Sequence, residues 1–231
     1  MMTIRTKAVP ALVVTALTLG SAFAGDIVGK VKYAGTAPTP AKIQVTKDQA
    51  VCGKAEHIDE TLLVGPDKGL KNVVVNISDP KDGKKYTAAA KPTLDQNGCK
   101  FVPHVDIVPA GQEVSIINSD GILHNIHTFP KNNVPFNKAQ PKFKKEMPAT
   151  FEKPDLIQIK CDVHSWMAGW IVVAGHAYYA LTDASGNFKI EGVPAGTYTL
   201  ESWHEKLGKQ SKPVTVPATG SVTADLEYAA K

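Results

Sequence analysis

The chain has 231 residues, 26 Lys and Arg against 22 Asp and Glu, and a formal net charge of +4. So nearly balanced a charge excludes the basic surface that general polyanion binding requires, and nucleic acid is not an expected partner. The length is enough to bury one large core or two modest ones.

At the N-terminus, Arg5 and Lys7 precede an apolar run from Ala8 to Gly20, and Ala22-Phe23-Ala24 forms an A-x-A cleavage pattern. Residues 1–24 therefore read as a secretory signal peptide. The run contains Pro10 and is too short to span a bilayer, so no stable membrane insertion is expected. Cleavage after Ala24 places the mature protein in the periplasm or outside the cell. Losing Arg5 and Lys7 lowers its net charge to about +2.

Beyond residue 24 no long stretch carries the apolar period of a helix. Strand-like runs recur instead at 27–33, 72–77, 105–108, 113–118, 125–129, 156–160, 170–174, 178–182, 187–191, 197–203, 211–216 and 222–228. Turn signals such as Pro109-Ala110-Gly111, Asp183-Ala184-Ser185-Gly186 and Pro194-Ala195-Gly196 separate them. Many short strands so punctuated predict an all-β protein of sandwich or barrel type, and the pattern favours two domains. Residues 131–154 differ, being rich in proline (Pro135, Pro141, Pro148, Pro154) with lysines at 138, 142, 144 and 145. They read as a long surface connection whose lysines form a solvated face rather than a docking patch.

Three cysteines follow the signal segment, Cys52, Cys99 and Cys161, in a compartment that oxidises thiol pairs. One disulfide and one leftover thiol result, and three pairings are open. Cys161 stands apart because it begins Cys-Asp-Val-His-Ser-Trp-Met, which brings His164 and Met167 within one loop, while His124 stands upstream in Gly-Ile-Leu-His-Asn-Ile-His. A thiolate, two imidazoles and a weak axial thioether are the ligand set of a mononuclear blue (type 1) copper centre. Two residues between Cys161 and His164 allow a tight turn to bring both to one metal, and two more return Met167 to an axial position. With Cys161 so engaged, Cys52–Cys99 is the economical disulfide.

From Phe101 the chain runs Phe-Val-Pro-His-Val-Asp-Ile-Val-Pro-Ala-Gly-Gln-Glu-Val-Ser-Ile-Ile-Asn-Ser-Asp-Gly-Ile-Leu-His-Asn-Ile-His. This stretch resembles the cupredoxins, and the short gap between His164 and Met167 is more like amicyanin than plastocyanin. The resemblance implies a Greek-key sandwich with copper held by His124, Cys161, His164 and Met167. It also implies a role for Asn125 in joining the two ligand loops by hydrogen bonds. Many relatives have proline before the loop histidine; here Val163 stands there, with Asp162 beside the cysteine. An anion so placed favours Cu(II), and a lowered reduction potential is expected.

A second resemblance covers Tyr178 to Leu200, with Leu-Thr-Asp-Ala-Ser-Gly-Asn-Phe-Lys-Ile and Val-Pro-Ala-Gly-Thr-Tyr-Thr-Leu. It is similar to the carboxypeptidase-regulatory-like, or transthyretin-like, β-sandwich. That module's opening strands are missing just before Tyr178 and have counterparts at 25–33 and 70–77. The expectation is therefore an N-terminal β segment (25–83) belonging to a discontinuous host sandwich, a cupredoxin (84–174) inserted in it, and the rest of the host at 175–231. Three consecutive pieces are the simpler alternative. The whole resembles bacterial secreted proteins of the methylamine-utilisation type.

Among the remaining residues, His127 is expected at the surface or beside the ligands, and Met147 in packing. His104, His176 and His204 lie near strand ends without the paired spacing of a second metal site, and His57 has no companion. Trp166 and Trp170 flank Met167 and are expected to form an apolar rim through which His164 meets a redox partner; Trp203 is expected in the host core. The function implied is a secreted carrier of single electrons, partnered by a c-type cytochrome or a quinoprotein dehydrogenase. Copper binding or delivery without redox turnover is the alternative. An enzyme is not expected: the chain has no His-x-His pairs for further copper sites and no Gly-x-Ser-x-Gly.

Overall fold

Alternating burial shapes the longer strands: in Asn187–Pro194 and Gly196–His204 roughly every second side chain enters a core. The computed structural model describes residues 24–230, so the proposed signal segment up to residue 23 lies outside the described residues. The rest is almost entirely β, with one helical turn at Gln49–Cys52 and a 3-10 turn at Pro66–Lys68. No described helix is long and apolar enough to cross a membrane.

Two sandwiches are stacked, and one is built from distant parts of the chain. In its first sheet Ala24–Tyr33 lies between Asn187–Pro194 on one side and Ser221–Thr223 followed by Leu226–Tyr228 on the other. Its second sheet runs Tyr179–Leu181, Val74–Ile77, Gly196–His204, Gly208–Val216. Ile27, Val31, Val75, Ile77, Tyr178 and Leu200 meet in the core between them.

The other sandwich is contiguous in sequence. Its five-stranded sheet has the order Asn137–Gln140, His124–Phe129, Asp155–Lys160, Ala168–Ala174, Val105–Pro109, and its four-stranded sheet the order Glu146–Thr150, Glu113–Asn118, Thr93–Gln96, Phe101–Val102. Leu94, Phe101, Ile116, Ile126, Ile159 and Ile171 fill the space between. The chain thus leaves the first sandwich after Ile77, completes the second, and returns at Tyr179. Residues 42–58 lie outside both sheets of the first sandwich. They form the short pair Lys42–Ile43 and His57–Ile58 and pack Val45, Val51 and Cys52 on the core of the second. The Cys52–Cys99 disulfide fastens this segment.

Val74, Val105, Ile107, Val172 and Ala174 form a seam between the two sandwiches, flanked by Trp170 and Trp203 with ring centroids 4.9 Å apart. Both tryptophans differ from expectation. On Gly196–His204 the inward positions are Leu200, Ser202 and His204, so period-two alternation turns Trp203 outward. Trp170 points into the same seam, where its Nε1 donates to Glu205 at 2.9 Å, away from the metal loop.

Residues 131–154 are also more regular than a surface connection. Asn137–Gln140 pairs with His124–His127, and Glu146–Thr150 pairs with Glu113–Ile117, burying Met147 and Ala149. Pro148 is tolerated because its strand is the edge of the four-stranded sheet.

Candidate metal centre

Two loops at one end of the contiguous sandwich bring the chemistry together. The first joins Glu113–Asn118 to His124–Phe129 and turns at Gly121, whose φ of 69° favours glycine. Asn118 holds it by donating from Nδ2 to Ile122 O at 2.7 Å and to Gln140 O at 2.9 Å. The second joins Asp155–Lys160 to Ala168–Ala174. Within it, Met167 N donates to His164 O at 2.9 Å and Cys161 N to Met167 O at 3.1 Å, which folds the Cys-x-x-His spacing into one turn.

Three ligand-type atoms converge there. Cys161 Sγ lies 3.9 Å from His124 Nδ1 and 3.8 Å from His164 Nδ1, and the two Nδ1 atoms are 3.0 Å apart. A point equidistant from all three lies about 2.1 Å from each, matching metal–imidazole bonds of about 2.0–2.1 Å and close to metal–thiolate bonds of about 2.3 Å. All three residues are buried, and Met167 is buried in the same cluster as Cys161. The donor set and its spacing fit a single transition-metal ion.

Carboxylates orient both rings. Asp120 Oδ2 accepts from His124 Nε2 at 2.8 Å, and Asp48 Oδ2 accepts from His164 Nε2 at 2.9 Å. Each ring therefore donates outward through Nε2 and presents Nδ1 inward, the arrangement metal-binding histidines use. Asp120 also accepts from Gly98 N at 2.6 Å and Cys99 N at 2.8 Å. The disulfide thus ties the turn that begins at Asp48 to the backbone that holds Asp120.

Asn125 joins the two loops. Its Oδ1 accepts from Asp162 N at 2.7 Å, from Val163 N at 3.2 Å and from Cys161 Sγ at 3.3 Å, while Nδ2 donates to Asn137 Oδ1 at 2.7 Å. Asp162, 52% exposed at its side chain, faces His127, Asn125 and Asn137.

The electrostatics favour a cation. Burial pushes the His124 imidazole down, but Asp120 and Cys161 outweigh it and hold the pKa up at about 9. Burial pushes the Cys161 thiol up, yet hydrogen bonds from His124 and neighbouring backbone N–H groups bring it below its ordinary value. The His164 imidazole is lowered, chiefly by burial, which outweighs the pull of Asp48. A metal ion held by these residues would supply positive charge in place of a proton on His124 and would bind the thiolate with neutral imidazoles.

The other candidates lie elsewhere. His127 is half-buried with Nδ1 3.2 Å from Asp162 Oδ1, and Met147 packs in the core. His104 bonds Glu205, His176 lies against Tyr179, and His204 accepts from Lys206 N and Leu207 N. Both metal-ligand groupings among the described residues include His124. Asp48 and Asp120 were missed by sequence reasoning. Asp120 sits four residues before His124 in a turn, a usable signal; Asp48 is 116 residues from His164 and gives none.

A family model described as polysaccharide lyase family 4, domain II, matches residues 153–224, less than half of the chain. No curated protein matches. Among solved structures, a copper-containing nitrite reductase from Thermus scotoductus is similar at 23% identity and a TM-score of 0.34, over 41% of this chain and 26% of that one. The match thus spans about a quarter of the nitrite reductase. A purple cupredoxin from Nitrosopumilus maritimus is similar at 20% identity and a TM-score of 0.31, over 36% of this chain and 98% of that one. A Cu(I) form of an amicyanin variant is similar at 19% identity and a TM-score of 0.33, over 43% of this chain and 97% of that one.

Proposed function

We propose that the protein is a secreted or periplasmic type 1 copper protein that carries single electrons between redox partners. The observation that carries this reading is the triangle of Cys161 Sγ, His124 Nδ1 and His164 Nδ1, whose edges of 3.9, 3.8 and 3.0 Å would let one ion reach all three atoms. Copper held there would supply a one-electron couple, Cu(II)/Cu(I). Cys161 would provide the thiolate, His124 and His164 the imidazoles, and Met167 a thioether. Asp120, Asp48 and Asn125 hold the rings and the loop in place, so little rearrangement accompanies a change of charge. Nothing in this role needs a bound substrate, and a c-type cytochrome or a quinoprotein dehydrogenase is a suitable partner.

Adding Cu(II) to the purified protein is expected to produce an intense thiolate-to-copper band in the visible spectrum, lost in Cys161→Ser. Absence of that band from the unaltered protein would defeat the reading. Rapid electron exchange with a periplasmic cytochrome separates a carrier from a copper store.

A further inference from the structure

Both imidazoles at the metal-bearing end of the contiguous sandwich are fully buried, and the two sides differ in what covers them. On one side, residues 42–58 cover His164, leaving its ring no exposed surface. Asp48 bonds the ring, the Trp166 ring lies 5.2 Å away, and His57 Nε2 to Cys52 O at 2.8 Å and the disulfide hold the cover in place. A partner approaching there meets that cover.

On the other side two turns, 119–123 and 141–145, stand together over the buried His124. Gln140 pairs directly with His124, Asn118 Nδ2 bonds both Ile122 O and Gln140 O, and Asn118 N bonds Lys145 O at 2.9 Å. The turns expose Leu123 (46%) and Phe143 (82%), and Lys142, Lys144 and Lys145 are exposed around them. Carboxylates at these turns are already engaged: Asp120 by His124 and two backbone N–H groups, Asp95 by Ser119 and Asn97, Glu146 by Lys91 and Ser115. Two large apolar side chains offered to solvent among three lysines combine a surface that a partner can dehydrate with a charge that steers its approach.

We propose that the redox partner docks on this Leu123–Phe143 face, beside His124, and that it presents an acidic surface around an apolar spot. The lysines, read in sequence as a merely solvated face, become the steering charge because the fold sets them against the loop that ends in a ligand. The proposal rests on the electron-carrier reading. One electron passes per encounter, with one protein oxidised and the other reduced, and no bond or proton is exchanged.

Three measurements test it, the first two with the triple variant Lys142→Glu, Lys144→Glu, Lys145→Glu and the third with the single variant Phe143→Ala. In the first, hexacyanochromate(III), a paramagnetic and redox-inert anion, is titrated into isotope-labelled protein, and its line broadening is expected to centre on Leu123 and residues 142–145 and to vanish in the triple variant. In the second, the Cu(I)-loaded protein gives one electron to hexacyanoferrate(III), forming hexacyanoferrate(II). Charge reversal is expected to slow this reaction by about tenfold or more and to speed the reaction with cationic tris(phenanthroline)cobalt(III), both effects shrinking in high salt. Phe143→Ala is expected to weaken binding of an acidic c-type cytochrome without changing the salt dependence. Broadening centred on Lys47 and Lys54 of the covering segment, or exchange rates unchanged by charge reversal, would overturn the proposal. The first measurement needs no copper, so failure to load copper removes the carrier reading while the position of the anion site is still decided.

Discussion

Replacing Asp120 with asparagine keeps the size of the side chain and removes one of its two acceptors. One carboxylate oxygen accepts from Gly98 N at 2.6 Å, and the other accepts from both Cys99 N at 2.8 Å and His124 Nε2 at 2.8 Å. An amide must turn its NH2 toward one of these groups, leaving at least one poorly solvated N–H without a partner, at a cost of about 1–3 kcal/mol. If the NH2 faces His124, the ring also loses the acceptor that keeps its proton on Nε2 and its lone pair on Nδ1. Loss of such an outer partner weakens metal binding by about 10–100-fold, or about 1.4–2.7 kcal/mol. The pH dependence follows in sign. Burial raises the Asp120 carboxyl, but His124 and the two backbone N–H groups bring it below its ordinary value of 3.8. Its contribution is therefore present above pH 3.8 and lost as the pH falls through the lower folded value, a loss the variant does not show. Urea unfolding and competition with a copper chelator measure the two effects separately. A variant with stability within about 0.5 kcal/mol of the parent and undiminished copper affinity would refute this account of Asp120.

Asp48→Asn, which removes the charge touching His164, is expected to raise the reduction potential more than Asp162→Asn, because the Asp162 carboxylate is turned toward His127 and Asn137. Voltammetry showing the larger shift for Asp162→Asn would contradict that order. The variant Cys52→Ser, Cys99→Ser opens a loop with a separation of 47 residues and is expected to lose about 4 kcal/mol of stability by the chain-entropy account, with denaturant midpoints as the check. His204 is pushed down to about 4, chiefly by burial, so its neutral form is the folded one. The stability tied to it is complete above the ordinary value of 6.5 and falls by up to about 3 kcal/mol as the pH drops through 4. His204→Asn should flatten that part of the pH profile, and an unchanged slope would assign the acid sensitivity to other groups.

Local spacing made much of the site legible in advance. Cys161, His164 and Met167 share one loop, and the strand pattern before His124 placed that residue at a loop end, so sequence alone could assemble the candidate set. The all-β class was equally plain from alternation. Asp48 was not, because its partner lies 116 residues away across a single helical turn whose position depends on the disulfide. Trp170 and Trp203 misled for a related reason: alternation gives the face of a strand, but not whether a second sandwich covers that face. The strands hidden in 131–154 were obscured by prolines that an edge position accommodates.

The disulfide runs from the turn that begins with Asp48 to Cys99, whose own N–H is held by Asp120. The two carboxylates that aim the two imidazoles are therefore linked through one covalent bond. On the copper reading, that bond braces both ligand-orienting carboxylates at once. A reduced chain in the cytosol lacks the brace for His164 and offers copper a looser set of donors. If the chain is exported as proposed, the compartment that supplies the oxidant would also be the one in which both imidazoles are braced for metal.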